Sequence, residues 1–560
     1  MSRSLLLAAL GAGLFAVVLA PASAANWAAT PARAFPAMRG AVDLGRAPAA
    51  LPIHVAIGLA GPNRSETDSI IVRQATPGDP LYHRYLSTAQ ARALVSPSGT
   101  RVAAVANYLA RSGFTNVRVT PDNLLLLADG NAGVASRAFA TEIHLLSTAA
   151  GRFYANTKPA LVPVALRGAI VGIEGLHDLR MHSMLVKKTS VQSCTEVPVL
   201  DICALSEFGP ADFQQVYDAT SASTGASTPI AIFGEGDLTQ VVADLRTQEQ
   251  LSHLPVVPVS VVLTGPQSGD TSGADEFDLD TQYSTGMAGN VSQLTIYDAP
   301  SLTDADTTTE FDRFVTDNSS KAASASFGEC ELLADLDGST ATDDAIFKEA
   351  ALQGQTVFAS SGDTGTGCLG VENGIPLGVP GVEYPASSTY VVAAGGTTLL
   401  ANASGAYDAE IGWYAGGGGT SLVEAAGAWQ SGVVPLSAIG RKAVPDIAMD
   451  ADPDTGANVI VSGSAEEVGG TSLSSPLSLG VWARLETAHA NALGFAAPIL
   501  YKEFSDEGGT SLVPSGLTRA IGGFHDIEFG GNPLPATPGY DYSTGLGTFD
   551  VGLSESDILK

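Results

Sequence analysis

The stretch of chain beyond Phe208 most narrows the possible folds, because short apolar segments alternate there with helical ones. Such alternation predicts a parallel, doubly wound α/β sheet. In sheets of this type, the functional side chains gather at the carboxyl ends of the strands. The predicted strands are 229–233, 256–263, 293–297, 322–327, 356–360 and 390–394. The predicted helices between them are 239–251, 276–287, 309–316 and 341–352.

A smaller α+β domain is predicted at residues 48–180. Its pattern begins with a strand at 53–59, and Ser87 with Gln90 then forms a capping box that opens a helix. A second helix at 100–112 stops at Gly113, where a glycine is the usual C-terminal residue. Two strands at 117–120 and 124–127 and a helix at 135–146 complete this domain.

The first 24 residues are typical of an export signal. Arg3 precedes an apolar run at 5–20, and the small residues that end at Ala24 form a cleavage site. The run is short for a membrane anchor, and no later segment is apolar enough to cross a bilayer. We therefore expect a soluble protein that is secreted to the outside of the cell or to the periplasm, without a membrane partner.

Residues 181–205 are predicted to form a linker that a protease could reach and that holds a processing site, and residues 206–560 the catalytic domain. Four cysteines without CxxC spacing favour disulfides over metal binding in an exported chain. Three pairings are possible. We prefer Cys194 with Cys203 and Cys330 with Cys368, because each pair lies within one candidate domain.

The charge is distributed unevenly along the chain. Residues 1–200 contain 18 Lys and Arg against 10 Asp and Glu, a net charge of +8, whereas residues 201–560 contain 10 against 48, a net charge of −38; together they give −30. Phosphate would be repelled by the C-terminal part, so nucleic acid is excluded as its partner. Mutual attraction of the two parts at neutral pH is the functional interpretation, and a generic acidic exoprotein surface is the alternative.

The run Gly469–Pro476 is a Gly-rich turn that leads into an amphipathic helical segment at 477–489. Pro476 is compatible with the first turn of a helix, where no N–H is needed. Ser472 would then lie at a helix N-terminus, whose free N–H groups suit a developing oxyanion. Ser472 is thus a candidate nucleophile, and an ordinary helix cap is the alternative.

Three groups of carboxylates accompany this serine. Glu276 and Asp280 are four residues apart and share one helix face, which raises one pKa and favours a shared proton. Asp363 follows a strand in a Gly-flanked loop, where a turn-capping role is the commoner explanation. Asp526 and Asp541 lie in Gly/Pro-rich loops that suit one structural Ca²⁺ ion.

The histidines beyond residue 205 are His253, His489 and His525, and none lies in a Gly-rich stretch like those around Ser472 or Asp363. A serine hydrolase with this sequence would therefore lack the usual imidazole base. A carboxylate base suits an enzyme that works in acid.

Together these motifs resemble the sedolisins, the serine-carboxyl peptidases, and within them kumamolisin-like precursors with an activation domain. Residues 470–476 match the nucleophile motif of the family, residues 276–280 its ExxxD helix, residues 361–363 its oxyanion loop, and residues 526–527 with 539–541 its calcium loop. Residues 82–87 resemble its activation domain. The resemblance implies a subtilisin-like catalytic fold preceded by a ferredoxin-like propeptide domain.

The resemblance also implies roles for individual residues. Ser472 would be the nucleophile, Glu276 the general base and acid, and Asp280 the residue that orients Glu276 and shares its proton. Protonated Asp363 would donate to the oxyanion. Calcium would be bound by the side chains of Asp526 and Asp541 and by the carbonyls of Ile527, Thr537 and Gly539.

Two details complete the resemblance. Thr537 stands where the family usually has glycine, a change of little weight for a backbone ligand. The run at 326–331 also resembles the family and supports the pairing of Cys330 with Cys368.

The sequence therefore predicts a monomeric, secreted zymogen that hydrolyses protein or peptide substrates in acid, inhibited by its own propeptide. We expect the precursor to be stable near neutral pH and to cleave itself in the linker on acidification. Two alternatives are an inactive exported binding protein of the same fold and a His-dependent subtilisin.

Overall fold

The computed structural model describes residues 27–36, 41–62, 64–148, 151–188, 195–197, 202–204, 208–369, 376–402, 404–435, 440–507, 511–512 and 518–558. The predicted signal peptide at 1–24 and Cys194 lie outside these residues. Within the described part of the chain, no helix combines the length and the apolar character that a membrane span requires.

The N-terminal domain is built on a four-stranded antiparallel sheet. Its strand order is Thr115–Val119, Leu125–Asn131, Pro52–Leu59 and Ile170–Glu174, which is the 4-1-3-2 order of a ferredoxin-like fold read from its other edge. In the central pair, Val55 lies opposite Ala128. The helices are Arg64–Gln74, Thr88–Val95, Gly99–Ser112 and Ala132–Ala138, with a 3₁₀ turn at Val164–Leu166, and the outer strands are Trp27–Ala29, Val42–Arg46, Ile143–Ser147, Arg152–Asn156 and Leu161–Pro163.

Local signals set most of these boundaries. The Ser87 and Gln90 capping box is present, and the Gly99–Ser112 helix ends at Gly113 with a left-handed φ of 104°. The predicted helix at 135–146 is wrong in its second half, because the helix ends at Ala138 and Ile143–Ser147 is a strand. Ala140 has a φ of 46°, so the chain leaves the helix there and pairs along Arg152–Asn156.

The catalytic domain contains an eight-stranded sheet with parallel order Val259–Leu263, Gln293–Ala299, Pro229–Glu235, Ala322–Ala325, Thr356–Ser360 and Val392–Ala401. Ile447–Asp450 joins the last of these strands in parallel, and Tyr407–Gly412 joins it antiparallel. The predicted strand at 322–327 ends at Ala325, and a separate strand, Phe327–Cys330, begins after Ser326. Ser326 thus lies at a break above the carboxyl end of the sheet.

Helices on the sheet are Thr239–Leu251, Ala274–Ala288, Asp304–Asp317, Ser339–Gln353 and Thr471–Ala488, and shorter or peripheral ones are Pro210–Val216, Glu331–Asp337, Ala496–Glu507 and Val551–Asp557. The 3₁₀ turns are Ala428–Gln430 and Pro453–Thr455. The remaining strands are His182–Ser183, Val186–Lys187, Thr195–Val197, Ile202–Ala204, Gly367–Leu369, Pro376–Pro380, Glu383–Tyr384, Gly419–Thr420, Ala443–Val444, Ala457–Val461, Ser464–Gly469, Ser511–Leu512, Thr518–Ile521, Phe524–Ile527 and Thr548–Phe549.

The Thr471–Ala488 helix differs from its prediction in two ways. It is buried on every side from Thr471 to Glu486 instead of being amphipathic, because it packs between the sheet and the Ala274–Ala288 helix. It also begins five residues before Pro476, which therefore lies inside it. Proline lacks the N–H that would reach the carbonyl of Ser472, and the hydroxyl of Ser326 lies 3.3 Å from that carbonyl oxygen instead.

Two further expectations concern residues 181–205 and the cysteines. Met184 is 2% exposed and His182 is 9% exposed, so these two residues of the predicted linker are inaccessible, whereas Ser183 and Lys187 are exposed. Backbone pairing with a strand on each side holds this segment in the cleft above the sheet. Cys330 and Cys368 form a disulfide, which confirms that preference, whereas the pairing of Cys194 with Cys203 stays a prediction.

Candidate active site

The candidate nucleophile Ser472 is fully buried in the first turn of the Thr471–Ala488 helix. Gly470 precedes this helix with a φ of 94°, and a Cβ there would lie 1.9 Å from the carbonyl oxygen of Met184 and 2.7 Å from Asp363 Oδ2. A side chain at position 470 would thus collide with both. The glycine lets the chain turn and brings the helix N-terminus close to its neighbours.

Ser472 Oγ lies 2.9 Å from Glu276 Oε2 and 3.1 Å from the carbonyl oxygen of Ser326. Glu276 is 1% exposed and extends from the Ala274–Ala288 helix, which packs along the helix of Ser472. Burial and the adjacent Asp280 raise the pKa of Glu276 well above its ordinary range. Ionised Glu276 would therefore be a stronger base than a carboxylate in water.

Asp280 lies one helical turn beyond Glu276 and is fully buried. Its Oδ1 is 2.5 Å from the hydroxyl of Ser326, while its Oδ2 and Glu276 Oε1 accept no hydrogen bond from the described residues. Burial raises the pKa of Asp280 as well, so the two carboxyls favour holding one proton between them. The hydroxyl of Ser326 donates to Asp280 Oδ1, which leaves Asp280 Oδ2 as the oxygen that can carry the proton.

Asp363 follows the Thr356–Ser360 strand and faces the N-terminus of the serine helix. Its Oδ1 accepts from the backbone N–H of Thr471 (2.8 Å) and from the Thr471 hydroxyl (2.9 Å), whereas its Oδ2 is buried without a partner among the described groups. Burial raises the pKa of Asp363 to about 7. Since Oδ1 serves as the acceptor, the proton belongs on Oδ2, which is then a free donor.

The five residues of the predicted calcium loop lie close together. Asp526 accepts from the backbone N–H of Gly539 (2.9 Å), and Asp541 accepts from that of Thr537 (3.0 Å). Ile527 follows Asp526 on the same strand. Both carboxylates are at least 96% buried, and burial raises the pKa of Asp541 to about 6. Two buried carboxylates with carbonyls nearby fit a hard cation that prefers oxygen ligands.

A second group of metal-ligating side chain types was not anticipated from the sequence. One ligand atom each of His177, Asp304 and Asp337 lies within 4.8 Å of the others, and all three side chains are buried where the N-terminal domain meets the catalytic domain. These residues are far apart in sequence. Asp304 and Asp337 both belong to the catalytic domain, and docking of the N-terminal domain brings His177 to them.

Two residues in the cleft were also missed. Ser183 donates a short hydrogen bond to Glu276 Oε2, and Ser326 contacts both Asp280 and Ser472. The run at 326–331 was noticed, but nothing in it indicates contact with a carboxylate 46 residues away. Among the described histidines, none is a recorded hydrogen-bond partner of Ser472, whose hydroxyl lies between Glu276 and Ser326.

Comparison with known proteins agrees with this architecture. Residues 39–179 match the family described as Pro-kumamolisin, activation domain. The chain is 36% identical to sedolisin of Pseudomonas sp. (strain 101), over 96% of this chain and 93% of that protein. It is 35% identical to xanthomonalisin of Xanthomonas sp. (strain T-22), over 90% of this chain, but spans only 65% of that protein.

A solved structure of Pseudomonas sedolisin, a serine-carboxyl proteinase complexed with two molecules of pseudo-iodotyrostatin, is similar with a TM-score of 0.56. The match is 35% identical and covers 63% of this chain and 97% of that one. An activation domain ahead of a subtilisin-like sheet defines the class as a serine peptidase made as a zymogen. The identity along nearly the whole length settles the family: the chain belongs to the sedolisins, the serine-carboxyl peptidases.

Proposed function

We propose that this chain is the precursor of a secreted, monomeric peptidase that hydrolyses peptide bonds in acid through Ser472, Glu276, Asp280 and Asp363. The observation that carries the proposal is the 2.9 Å contact between Ser472 Oγ and the buried Glu276 Oε2. A hydroxyl in contact with a carboxylate, without an imidazole, is the arrangement that general-base catalysis needs at low pH.

In the proposed reaction, Ser472 Oγ attacks the peptide carbonyl while its proton passes to Glu276 Oε2. Glu276 then gives this proton to the leaving amine, and water releases the acyl group by the same steps in reverse. Asp280 holds the one proton that the pair carries before the attack, so that Glu276 is ionised and can accept the proton of Ser472. Asp280 also contacts the hydroxyl of Ser326, which lies 3.3 Å from the carbonyl oxygen of Ser472.

The oxyanion would form near two donors. One is the carboxyl proton on Asp363 Oδ2, and the other is the backbone N–H of Ser472 in the first turn of its helix. A neutral carboxylic acid donates to an oxyanion, whereas a carboxylate repels it. Because the pKa of Asp363 is about 7, this donor is present in acid and is lost as pH rises through 7.

A Ca²⁺ ion is proposed at Asp526 and Asp541, with carbonyls from Ile527, Thr537 and Gly539. A cation there would supply positive charge to two buried carboxylates and tie together loops that lie 10 or more residues apart. Its role in this proposal is structural. Among the residues that the structure describes, none of the four catalytic side chains forms a hydrogen bond with the loop.

The activation domain acts as the inhibitor of the peptidase, and opposite charges support its docking. Basic residues of the N-terminal part form ion pairs with acidic residues of the catalytic part: Arg33 with Asp335 (2.5 Å), Arg92 with Glu349 (3.6 Å), Arg180 with Asp270 (3.5 Å), Lys187 with Asp275 (3.0 Å) and Lys188 with Glu467 (2.8 Å). Part of the uneven charge along the sequence therefore forms ion pairs between the N-terminal part and the catalytic part.

The test is cleavage of a denatured protein at pH 4 by the acid-treated precursor, read by mass spectrometry, with Ser472→Ala as the control. We expect cleavage that the Ser472→Ala change abolishes. A His-dependent enzyme would instead lose activity below about pH 6.5, the ordinary pKa of imidazole. An acid-treated, folded protein without any cleavage would contradict the proposal and favour a binding protein of this fold.

A further inference from the structure

We propose that the precursor cuts itself between Met184 and Leu185, and that an acidic rim in the cleft selects basic residues three and four positions after the cut. The proposal rests on the proposed peptidase function and names the bond within the linker. It starts from the path of the chain, which enters and leaves the cleft as a β-strand on each side of Met184 and Leu185.

Upstream of this pair, His182–Ser183 runs antiparallel to Phe327–Cys330, with His182 opposite Gly328. Downstream, Val186–Lys187 runs antiparallel to Ser464–Gly469, with Val186 opposite Gly469. Strand addition of this kind is how a cleft holds an extended peptide in one register. The two residues between the paired segments are therefore positioned from both sides.

Met184 occupies the position that meets the serine helix. Its N–H donates to the carbonyl of Ser326 (3.1 Å), and its carbonyl oxygen accepts from the N–H of Ser472 (3.4 Å). Its side chain is buried, with Cε near Gly328, where an added Cβ would approach to 3.2 Å. A carbonyl held at a helix N-terminus beside the nucleophile is the one presented for attack.

The neighbouring residues are engaged differently. The Ser183 hydroxyl donates to Glu276 Oε2 and accepts from the N–H of Leu185 (3.1 Å). Within residues 181–188, the carbonyl that accepts a backbone hydrogen bond from the serine helix is that of Met184. This geometry singles out the bond from Met184 to Leu185.

The leaving side of the cleft carries negative charge. Lys187 Nζ lies 3.0 Å from both Asp275 and Glu466, and Lys188 Nζ lies 2.8 Å from Glu467. Lys188 is only 6% exposed in its side chain, so its pair is shielded from water. These contacts place the two lysines at the third and fourth positions after the cut and favour a basic pair in other substrates.

The chemistry needs only water as co-reactant. Ser472 Oγ bonds to the Met184 carbonyl carbon, the bond to the Leu185 nitrogen breaks, and Glu276 passes the serine proton to that nitrogen. Water then attacks the ester and returns a proton to Ser472. The products are a carboxylate at Met184 and a free amine at Leu185.

The first experiment incubates the purified full-length precursor at pH 4 and identifies new termini by mass spectrometry over time. We expect the first new N-terminus to be Leu185 and the Ser472→Ala precursor to stay intact. Leu185→Pro should block cleavage at this bond, because proline lacks the N–H that Leu185 donates to Ser183 and its ring restricts the backbone on both sides of the bond. A first terminus elsewhere in the wild-type precursor would overturn the proposal.

An added protease that cuts the linker distinguishes failure of the proposed scissile bond from failure of the proposed peptidase function. If the protein cut in this way digests a denatured protein but never produces Leu185, the scissile bond is wrong and the peptidase function stands. If it has no activity at all, the proposed function itself fails.

The rim is tested with Lys187→Glu and Lys188→Glu together, against Arg111→Glu with Arg167→Glu as an exposed control pair elsewhere in the N-terminal domain. We expect processing to slow about tenfold in the first pair, because the substitutions replace three attractive ion pairs by like-charge contacts with Asp275, Glu466 and Glu467. Added peptides with Lys-Lys at the third and fourth positions after the cut should have a higher kcat/KM than peptides with Glu-Glu. Equal rates in both assays would exclude a selective rim.

Discussion

The hydroxyl of Ser183 donates to Glu276 Oε2, the same carboxylate oxygen that contacts Ser472 Oγ. The general base thus has two hydroxyl partners in the precursor, one from the linker and one from the nucleophile. After cleavage the linker can dissociate, and Glu276 Oε2 then keeps Ser472 as its hydroxyl partner. The precursor and the mature enzyme should therefore differ in the basicity of Glu276.

Ser183→Ala should move the acidic limb of the self-processing pH profile to higher pH. The Ser183 hydrogen bond favours the carboxylate and lowers the pKa of Glu276, so its loss raises that pKa and protonates the base at a higher pH. Initial processing rates across pH, followed by gel, provide the measurement. Ser183→Thr keeps the hydroxyl and should match wild type, and an unmoved Ser183→Ala profile would contradict the contact.

Glu276→Gln should reduce turnover by about 10² to 10⁴, because the amide cannot accept the serine proton. The variant should remain folded, as shown by its thermal melt. Asp278→Asn is the matched control, since Asp278 is a buried carboxyl on the same helix and is not in contact with Ser472 in the recorded hydrogen bonds. Wild-type activity in folded Glu276→Gln would remove Glu276 from the mechanism.

Activity should fall as pH rises through about 7, because Asp363 then loses the proton that it donates to the oxyanion. Asp363→Asn supplies an N–H donor that does not titrate, so its alkaline limb should lie at higher pH. Asp363→Ala should lose about 10² to 10³ in kcat. The measurement is kcat against pH for the processed enzyme, and identical alkaline limbs in wild type and Asp363→Asn would rule out this role.

Asp526→Ala, or a chelator, should lower the melting temperature while kcat at low temperature changes little. A cation bound only by the folded state at 100 times its Kd stabilises it by about 2.7 kcal/mol, which corresponds to a shift of roughly 2 to 4 °C for a protein of this size. Asp408→Ala on the Tyr407–Gly412 strand is a control outside the loop. A melting temperature unaffected by both treatments would mean that no structural calcium binds here.

Asp312→Asn should strengthen binding of the activation domain at pH 7. Asp312 is buried against Asp122 of that domain, and burial and this neighbour raise its pKa well above the ordinary range. Docking therefore takes up a proton, and the complex weakens as pH rises through the raised pKa, by up to about tenfold per pH unit. Asparagine resembles the protonated form and removes this loss.

The assay uses the Ser472→Ala precursor, cut in the linker by an added protease, and measures dissociation against pH and salt. Asp317→Asn on the same helix is the control. Equal dissociation rates at pH 7 would contradict the prediction for Asp312. The protonation of Asp312 strengthens docking as pH falls. The surface ion pairs have the opposite effect, because they weaken as carboxylates are protonated near pH 4 and as salt screens them. Release on acidification stays a prediction, and faster dissociation at pH 4 than at pH 7 in this assay would bear it out.

The sequence alone determined the order of the elements and the types of the reacting groups. Alternating apolar and helical segments predicted the parallel sheet, because periodicity and capping are local properties. Gly470 and Ser472 marked the nucleophile turn, and the four-residue spacing of Glu276 and Asp280 placed both on one helix face. The helix at 135–146 was wrong beyond Ala138, because strand pairing with Arg152–Asn156 outweighed local helical preference.

Only the tertiary structure decided which groups meet. Glu276 and Ser472 are 196 positions apart in the sequence and meet because their two helices pack together. Ser326 reaches Asp280 because a strand ends there. The linker looked like an exposed segment by composition, yet it pairs with strands on both sides of the cleft and places Met184 at the serine helix. Such contacts depend on surfaces that form after folding, and local sequence does not encode the distance between them.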